Sequence, residues 1–502
     1  MTDHALRVLR KNPRLAELAA YSFNFDIGRA AHGHVEEVRL AAGGPLDIVA
    51  GDDTGGTYFV CADGSMLYAD SEGSAGIVGS SVDEALEIMI GLEEDDEDEE
   101  EFDGEYDDGD GAERSRLPRL EEARTELRAA LGFPERSPAE LEAMLRAALL
   151  RTEPDFLLLN GAEHNAYQLL DSYPRPPLWE AVLASGRADL GLLRAGDGVA
   201  WDAVAGDPVR RRLALRAAQF DRAEGDLDLL RHLLRHETRS SMTDELRLAA
   251  VLVGLRGDVG DLPLLHEVRE TDFDTACGLG GMPEPGASSE ELRDWAQGLD
   301  DSLFGTDPAD EPVATWTDLA RDQGMTELAR VTLIRELDAI VMDQSRLRRP
   351  DAPQALNTAA LGALAADFKE LGDLTQALRA QRLHAALQET AWHRVSARLA
   401  QARLERADSQ LEQAVQTLAA LRKILAAPGD DSLRHWEGVN LGRFIAEEHY
   451  RLTRALADAP LPDAARMLLP AADAILGELS ENAAKGVREL AEETAALVRE
   501  LS

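Results

Sequence analysis

Cys277 sits in DFDTACGLGG, a stretch without a helix pattern of its own, where an exposed thiol could act as a nucleophile. A thiolate needs a basic neighbour or a helix N-terminus, and the charges nearest in sequence, Asp272 and Asp274, oppose one. A buried structural thiol is therefore the favoured reading. His232 and His236 in RHLLRHE stand one helical turn apart and could share a metal ion. Position 233 is Leu, which removes the H-E-x-x-H pattern of zinc hydrolases, and HEVRE ends in Glu270 where a histidine would be needed. Polar helix faces account for these histidines, and no metal or cofactor is expected. A G-x-S-x-G nucleophile elbow is missing too.

Residues 46–73, LDIVAGDDTGGTYFVCADGSMLYADSEG, hold the glycines and acids that could cradle a phosphate. A phosphate loop joins a strand to a helix and carries Lys before Ser or Thr; GDDTGG joins strand to strand and has no Lys. Gly51, Gly55 and Gly56 read as hairpin residues, and Asp63-Gly64 as a tight turn. The chemistry left to this edge is recognition, with Asp52, Asp53, Tyr68 and Asp70 as candidate partner-binding residues. Positioning them requires strands over 34–40, 46–50, 57–62, 65–69 and 75–79, Cys61 turning into the core. SVDEALEIMIGL then predicts a closing helix, capped by Ser81 with Glu84 three residues on. Residues 1–92 are thus expected to form a small α+β module.

The order of Gly51, the strand from Tyr58 to Cys61, the turn Asp63-Gly64, the strand ending at Tyr68 and the helix entered through Ser80 resembles the carboxy-terminal part of the SUKH superfamily. That superfamily includes bacterial immunity proteins of toxin systems and yeast regulators of cell-wall synthesis. The resemblance covers about a fifth of the chain, and the helical segment before the sheet is shorter than the family's. It implies a role in toxin neutralisation or a related conflict.

From Glu93 to Gly111 nearly every side chain is an acid, and residues 93–117 are predicted to form a disordered linker, because such a segment cannot bury enough apolar surface to offset chain entropy. A calcium loop fails on register: Asp108 stands where the turn glycine should be. The rest predicts an all-α solenoid. D-L-x-L-L recurs at Asp189, Asp226 and Asp261, 37 and 35 residues apart, as in helix-pair repeats over 118–345, with Leu229 and Leu264 at equivalent buried positions. After a linker at 346–355, residues 356–502 resemble tetratricopeptide helix pairs. The best copy places Leu364, Ala365, Phe368, Gly372 and Ala377 as that family does.

A formal charge of -42 over 502 residues repels nucleic acid and anionic membranes from most of the surface. The dense basic spots at 210–212 and 346–350 are expected to pair with the chain's own carboxylates. No apolar run of about 18 residues predicts a membrane span, and Lys11, Asn12, Pro13 and Arg14 interrupt any signal-peptide core. Two cysteines and an Arg/Ala bias over Lys suit a bacterial cytoplasmic protein. The expected function is non-enzymatic protein binding, of the immunity type, capturing a basic toxin partner through an acidic surface. The alternatives are a scaffold assembling proteins on an α-solenoid, and an enzyme using Cys277 or the histidines.

Overall fold

The structure is a computed structural model that describes residues 4–92, 120–196, 198–239, 242–349, 352 and 354–501. The expected acidic linker at 93–117 lies outside the described residues. Two compact units emerge, one of Met1–Thr152, Phe156–Leu169 and Leu333–Ser502, the other of Glu153–Asp155 and Leu170–Thr332.

The first unit begins with α1 (His4–Lys11) and α2 (Pro13–Phe23), which precede β1 (Val38–Leu40). The strands β2 (Leu46–Gly51), β3 (Thr57–Cys61), β4 (Met66–Ala69) and β5 (Ser74–Gly79) then form an antiparallel meander, with Tyr58 opposite Tyr68 and Phe59 opposite Leu67. Next come α3 (Val82–Leu92), α4 (Leu120–Leu131), α5 (Pro138–Leu150), β6 (Leu158–Asn160) and β7 (Gln168–Leu169). β7 adds in parallel to β5, giving the order β2-β3-β4-β5-β7, while β6 pairs with β1.

Both faces of this sheet are buried. Tyr58 and Met66 face Phe23, Phe25 and Leu86, whereas Phe59, Cys61, Leu67 and Ile77 face Leu158 and Tyr167. This explains why β3 and β4 are apolar at consecutive positions instead of alternating. The α+β part therefore takes in more chain than the expected 1–92: α4 and α5 complete its cover, and residues to Leu169 complete its sheets. Ser81 caps α3 as expected, with its Oγ accepting from Glu84 N at 3.1 Å, but the Glu84 carboxylate reaches back to Ser80 N at 3.0 Å.

The second unit is helical: α6 (Leu178–Arg194), α7 (Gly198–Gly206), α8 (Pro208–Phe220), α9 (Leu227–Glu237), α10 (Asp244–Gly254), α11 (Leu262–Arg269), α12 (Phe273–Gly278), α13 (Ser289–Leu303) and α14 (Val313–Asp322). Asp226 and Asp261 each end a short 3-10 turn and open α9 or α11, but Asp189 lies inside α6. The first copy of the motif is thus not a helix–turn–helix junction. Leu229 is buried and Leu264 only partly so; Leu230 and Leu265, one residue on, are the positions buried in both.

The first unit resumes at Leu333, within α15 (Thr326–Met342), and continues with three successive helix pairs. These are α16 (Ala359–Glu370) with α17 (Leu374–Ala386), α18 (Ala391–Ala407) with α19 (Leu411–Ala426), and α20 (Asn440–Asp458) with α21 (Pro462–Glu478). The short α22 (Glu481–Lys485) and α23 (Arg488–Glu500) close the chain. Leu364, Ala365, Phe368 and Ala377 are all buried, and Gly372 turns the first pair at φ +77°, a left-handed conformation that favours glycine. These helices belong to the same compact unit as the sheet: Gln376 donates to His164 O at 2.7 Å, and Arg379 pairs with Asp338 at 2.6 Å while Asp338 accepts from Ala166 N at 3.0 Å. The linker at 346–355 does not separate one contact unit from another. Among the described residues no helix is long and apolar enough to cross a membrane.

Candidate functional site

The acids of the β2–β5 edge are held by the turns that carry them. Asp52 is buried, and its Oδ1 accepts from Thr54 N at 2.9 Å, Thr54 Oγ1 at 2.9 Å and Gly56 N at 2.7 Å. Its Oδ2 accepts from the Tyr68 hydroxyl at 2.5 Å. Burial by itself would raise the Asp52 carboxyl, and the hydrogen bonds from Tyr68, Thr54 and Gly56 overcome this and hold it below the usual aspartate value. The same bond, with burial, pushes the Tyr68 phenol well above its ordinary range. A Cβ on Gly56 would collide with both partners, so that glycine is required by close approach. Asp70 repeats the device, accepting from Glu72 N at 2.9 Å and Ser74 N at 2.8 Å, and Asp63 accepts from Ser65 N at 2.9 Å. Of the four expected binding residues, Asp53 is exposed, Asp70 half-buried, and Asp52 and Tyr68 are joined to each other.

A polar relay beside this edge escapes sequence reasoning because its members are far apart in the chain. His34 Nδ1 lies 2.9 Å from Thr57 Oγ1 and His34 Nε2 lies 3.1 Å from the Tyr167 hydroxyl, which donates to Glu36 at 2.5 Å. Burial lowers the His34 imidazole more than Glu36 raises it. Thr57 is buried, so its hydroxyl is shielded from a substrate, and the relay pins the 34–36 segment to the sheet.

In the second unit, His232 and His236 stack with ring centroids 4.6 Å apart, His236 Nδ1 lies 3.0 Å from His232 O, and Asp202 stands 3.7 Å from His232. Among the described residues no group of three or more His, Cys, Asp and Glu is arranged to hold a metal ion. His266 Nε2 turns to Pro283 O at 2.9 Å. Cys61 is buried as expected, its thiol pushed up to about 12 by burial and then by Asp63. Cys277 is exposed, which corrects the expectation of a buried thiol: α12 is a single short turn with Thr275 as its buried residue. Cys277 borders a shallow hollow with Met242, Arg247 and Asp274.

Many arginines of this unit find internal partners. Arg194 grips Asp226 at 3.0 and 2.8 Å, and Arg231 grips Asp261 at 2.6 and 3.0 Å. Each arginine stands five residues after one motif aspartate and reaches the next. Arg210 holds Asp189, Arg211 and Arg212 share the fully buried Glu237, and Arg216 pairs with Glu245 and Glu311. The basic triplet 210–212 is thus paired with the chain's own carboxylates, as expected.

The carboxy-terminal helices differ. On α20, Glu447 lies between Arg443 at 2.7 Å and Arg451 at 3.5 Å. The fully buried Glu448 is met by Arg406 at 2.6 Å and Arg403 at 3.6 Å, both from α18. Four arginines therefore share two carboxylates. Arg403 Nε has no hydrogen-bond partner among the described residues, and its guanidinium stacks 5.3 Å from the ring of Phe444, which is 39% exposed. Burial, together with Arg451 and Arg406, outweighs Glu448 and Glu447 and lowers the Arg403 guanidinium from its ordinary value. The pattern R-x-x-x-E-x-x-x-R from Arg443 to Arg451 was the available sequence signal, and the overall acidity of the chain obscures it.

Compared with protein-family models, with curated proteins and with solved structures, the chain matches none of them.

Proposed function

We propose that this chain is a non-enzymatic, cytoplasmic protein-binding protein whose helix pairs act as tetratricopeptide-like and HEAT-like repeats. The observation that carries this reading is the face of α18 and α20, where Arg403, Arg443 and Arg451 keep their outer edges in water beside an exposed aromatic ring. Exposed aromatic and arginine side chains in close contact are the composition of binding hot spots. Three consecutive helix pairs, the first turned by Gly372 and packed through Phe368, support the repeat reading. Helix-pair arrays carry no chemistry of their own and serve recognition.

A narrower form of the same reading is an immunity role for the SUKH-like module. The meander β2–β5 followed by α3 keeps the order on which that resemblance rests. Its acids for a basic partner are Asp53 and, across the next hairpin, Glu72, because Asp52 is committed to its own turn. Photo-crosslinking from a residue analogue at position 444 and from one at position 53, followed by identification of the joined proteins, tests both. Crosslinks to a partner protein from 444 support the scaffold form, and crosslinks from 53 alone support the immunity form. A chain that crosslinks to no protein from either position loses the reading.

A further inference from the structure

The stretch of chain that carries this face runs against the charge of the whole. Between residues 374 and 458 there are 12 Lys and Arg against 10 Asp and Glu, in a chain whose formal charge is -42. Three of the acids in that stretch, Glu405, Glu447 and Glu448, are buried beneath the arginines they serve. Their charge is therefore turned inward, and the outer edge of the face is positive.

We infer that the α18/α20 face docks an acidic segment of a partner protein, an extended run of Asp and Glu, with Arg403 stacked on Phe444 as its central anchor. This rests on the protein-binding reading above and names the partner's chemistry. It also reverses the expectation that the chain's acidity selects a basic partner.

Geometry separates a polymer of carboxylates from a single anion. Arg443 and Arg451 lie eight residues apart on one helix, a separation of about 12 Å along its axis. One phosphate or carboxylate cannot bridge that distance, whereas an extended peptide covers it in about four residues at a rise of about 3.3 Å each. Arg403 supplies the specific contact. Its planar guanidinium is held against an aromatic face, so little side-chain freedom is lost when it receives a carboxylate in the bidentate manner that arginine favours. Its Nε is buried facing Glu448 at 3.6 Å, so a partner carboxylate would meet the exposed remainder of the side chain, which is 37% accessible. A long nucleic acid carries charge well beyond so local a face and would meet the acidic remainder of the surface. A short acidic peptide would not.

The test uses the full chain and fluorescence anisotropy with three labelled probes of about twelve units: alternating Glu and Ser, alternating Gln and Ser, and oligothymidylate. A chain whose acids at 93–110 are changed to Gln and Asn is measured alongside, so that binding is read with and without the chain's own acidic run. The Glu peptide should bind at least about tenfold tighter than the Gln peptide in one of the two chains, and that preference should shrink as salt rises. Arg403→Gln with Arg451→Gln should abolish the preference while the helical circular dichroism and melting transition persist. Phe444→Ala should weaken it severalfold, and Arg403→Lys should give an intermediate loss, since charge is kept and stacking is not. Equal binding of the Glu and Gln peptides in both chains overturns the inference, as does an unchanged preference in the double variant or tighter binding of oligothymidylate. If crosslinking at 444 or 53 still yields a partner in that event, the protein-binding reading stands and this face is not its acidic-peptide site.

Discussion

Around Glu237, Arg211, Arg212 and Thr243 converge on one carboxylate that has no exposed surface, whereas around Glu447 and Glu448 four arginines share two carboxylates and keep their outer edges in water. Both places join arginine to glutamate, and both could be taken for a site on composition alone. The first is closed: Arg211 is only 4% exposed and also donates to Ala205 O at 2.5 Å. The second has the same two arginines per carboxylate, but Arg403, Arg443 and Arg451 are 37%, 45% and 49% exposed. The difference teaches that an excess of arginine over carboxylate marks a candidate binding surface only where it is accessible.

The sharpest way to break this comparison is to open the closed network. Glu237→Ala would leave Arg211 buried without its counter-charge, a loss of about 3–5 kcal/mol. Urea unfolding followed by helical circular dichroism would show it as a lowered midpoint, and a shift below about 1 kcal/mol would mean that Glu237 does not hold the unit together.

A buried histidine in the carboxy-terminal helices gives the next effect. His449 is fully buried, with Nδ1 2.8 Å from Ile445 O and Nε2 unpartnered among the described residues. Burial drives its imidazole down to about 4, the Ile445 carbonyl opposes this, and Arg422 adds to the fall. Because the unfolded chain titrates near about 6.5, it binds more protons than the folded chain between these two values. Stability should therefore fall as pH drops from about 6.5 to about 4 and level off below, by up to about 3 kcal/mol. The limb should be absent from His449→Gln in melts taken across that range.

The β2–β3 hairpin offers a smaller and more discriminating pair. Asp52→Ala removes the acceptor of four hydrogen bonds and should cost about 1–3 kcal/mol, while Asp53→Ala, exposed beside it, should stay within about 0.5 kcal/mol. Equal effects in thermal melts would return Asp52 to the surface and revive it as a contact residue. Smallest of all, Arg403→Gln should change stability by less than about 1 kcal/mol, since its pair with Glu448 is long and partly solvated. A larger loss would make Arg403 part of the core and not of a recognition face.

Local features of this molecule were legible because their causes lie within a few residues. Asp52, Asp63 and Asp70 each satisfy backbone N–H groups two to four positions ahead, so Gly, Asp and Ser between apolar runs were enough to place the hairpins. Ser81 and Glu84 placed the start of α3 in the same way. The motif at Asp226 and Asp261 was equally visible, but not what it does: Arg194 and Arg231 reach aspartates 32 and 30 residues away, and Asp189 has the same neighbours in sequence yet lies inside a helix.

The sequence by itself determined the hairpin turns and strands of the β2–β5 meander, the helix that follows it, the core role of Cys61, and the excess of acid. Tertiary structure alone decided that α4, α5, β6 and β7 complete the small sheet module, and that the carboxy-terminal helices join its unit through contacts such as Gln376 to His164. It alone placed Cys277 at the surface and set Arg403 of α18 against Phe444 of α20. The physical reason is range. Backbone propensity and capping act over one turn or hairpin, whereas burial and ion pairing depend on which distant segments packing brings within a few ångströms.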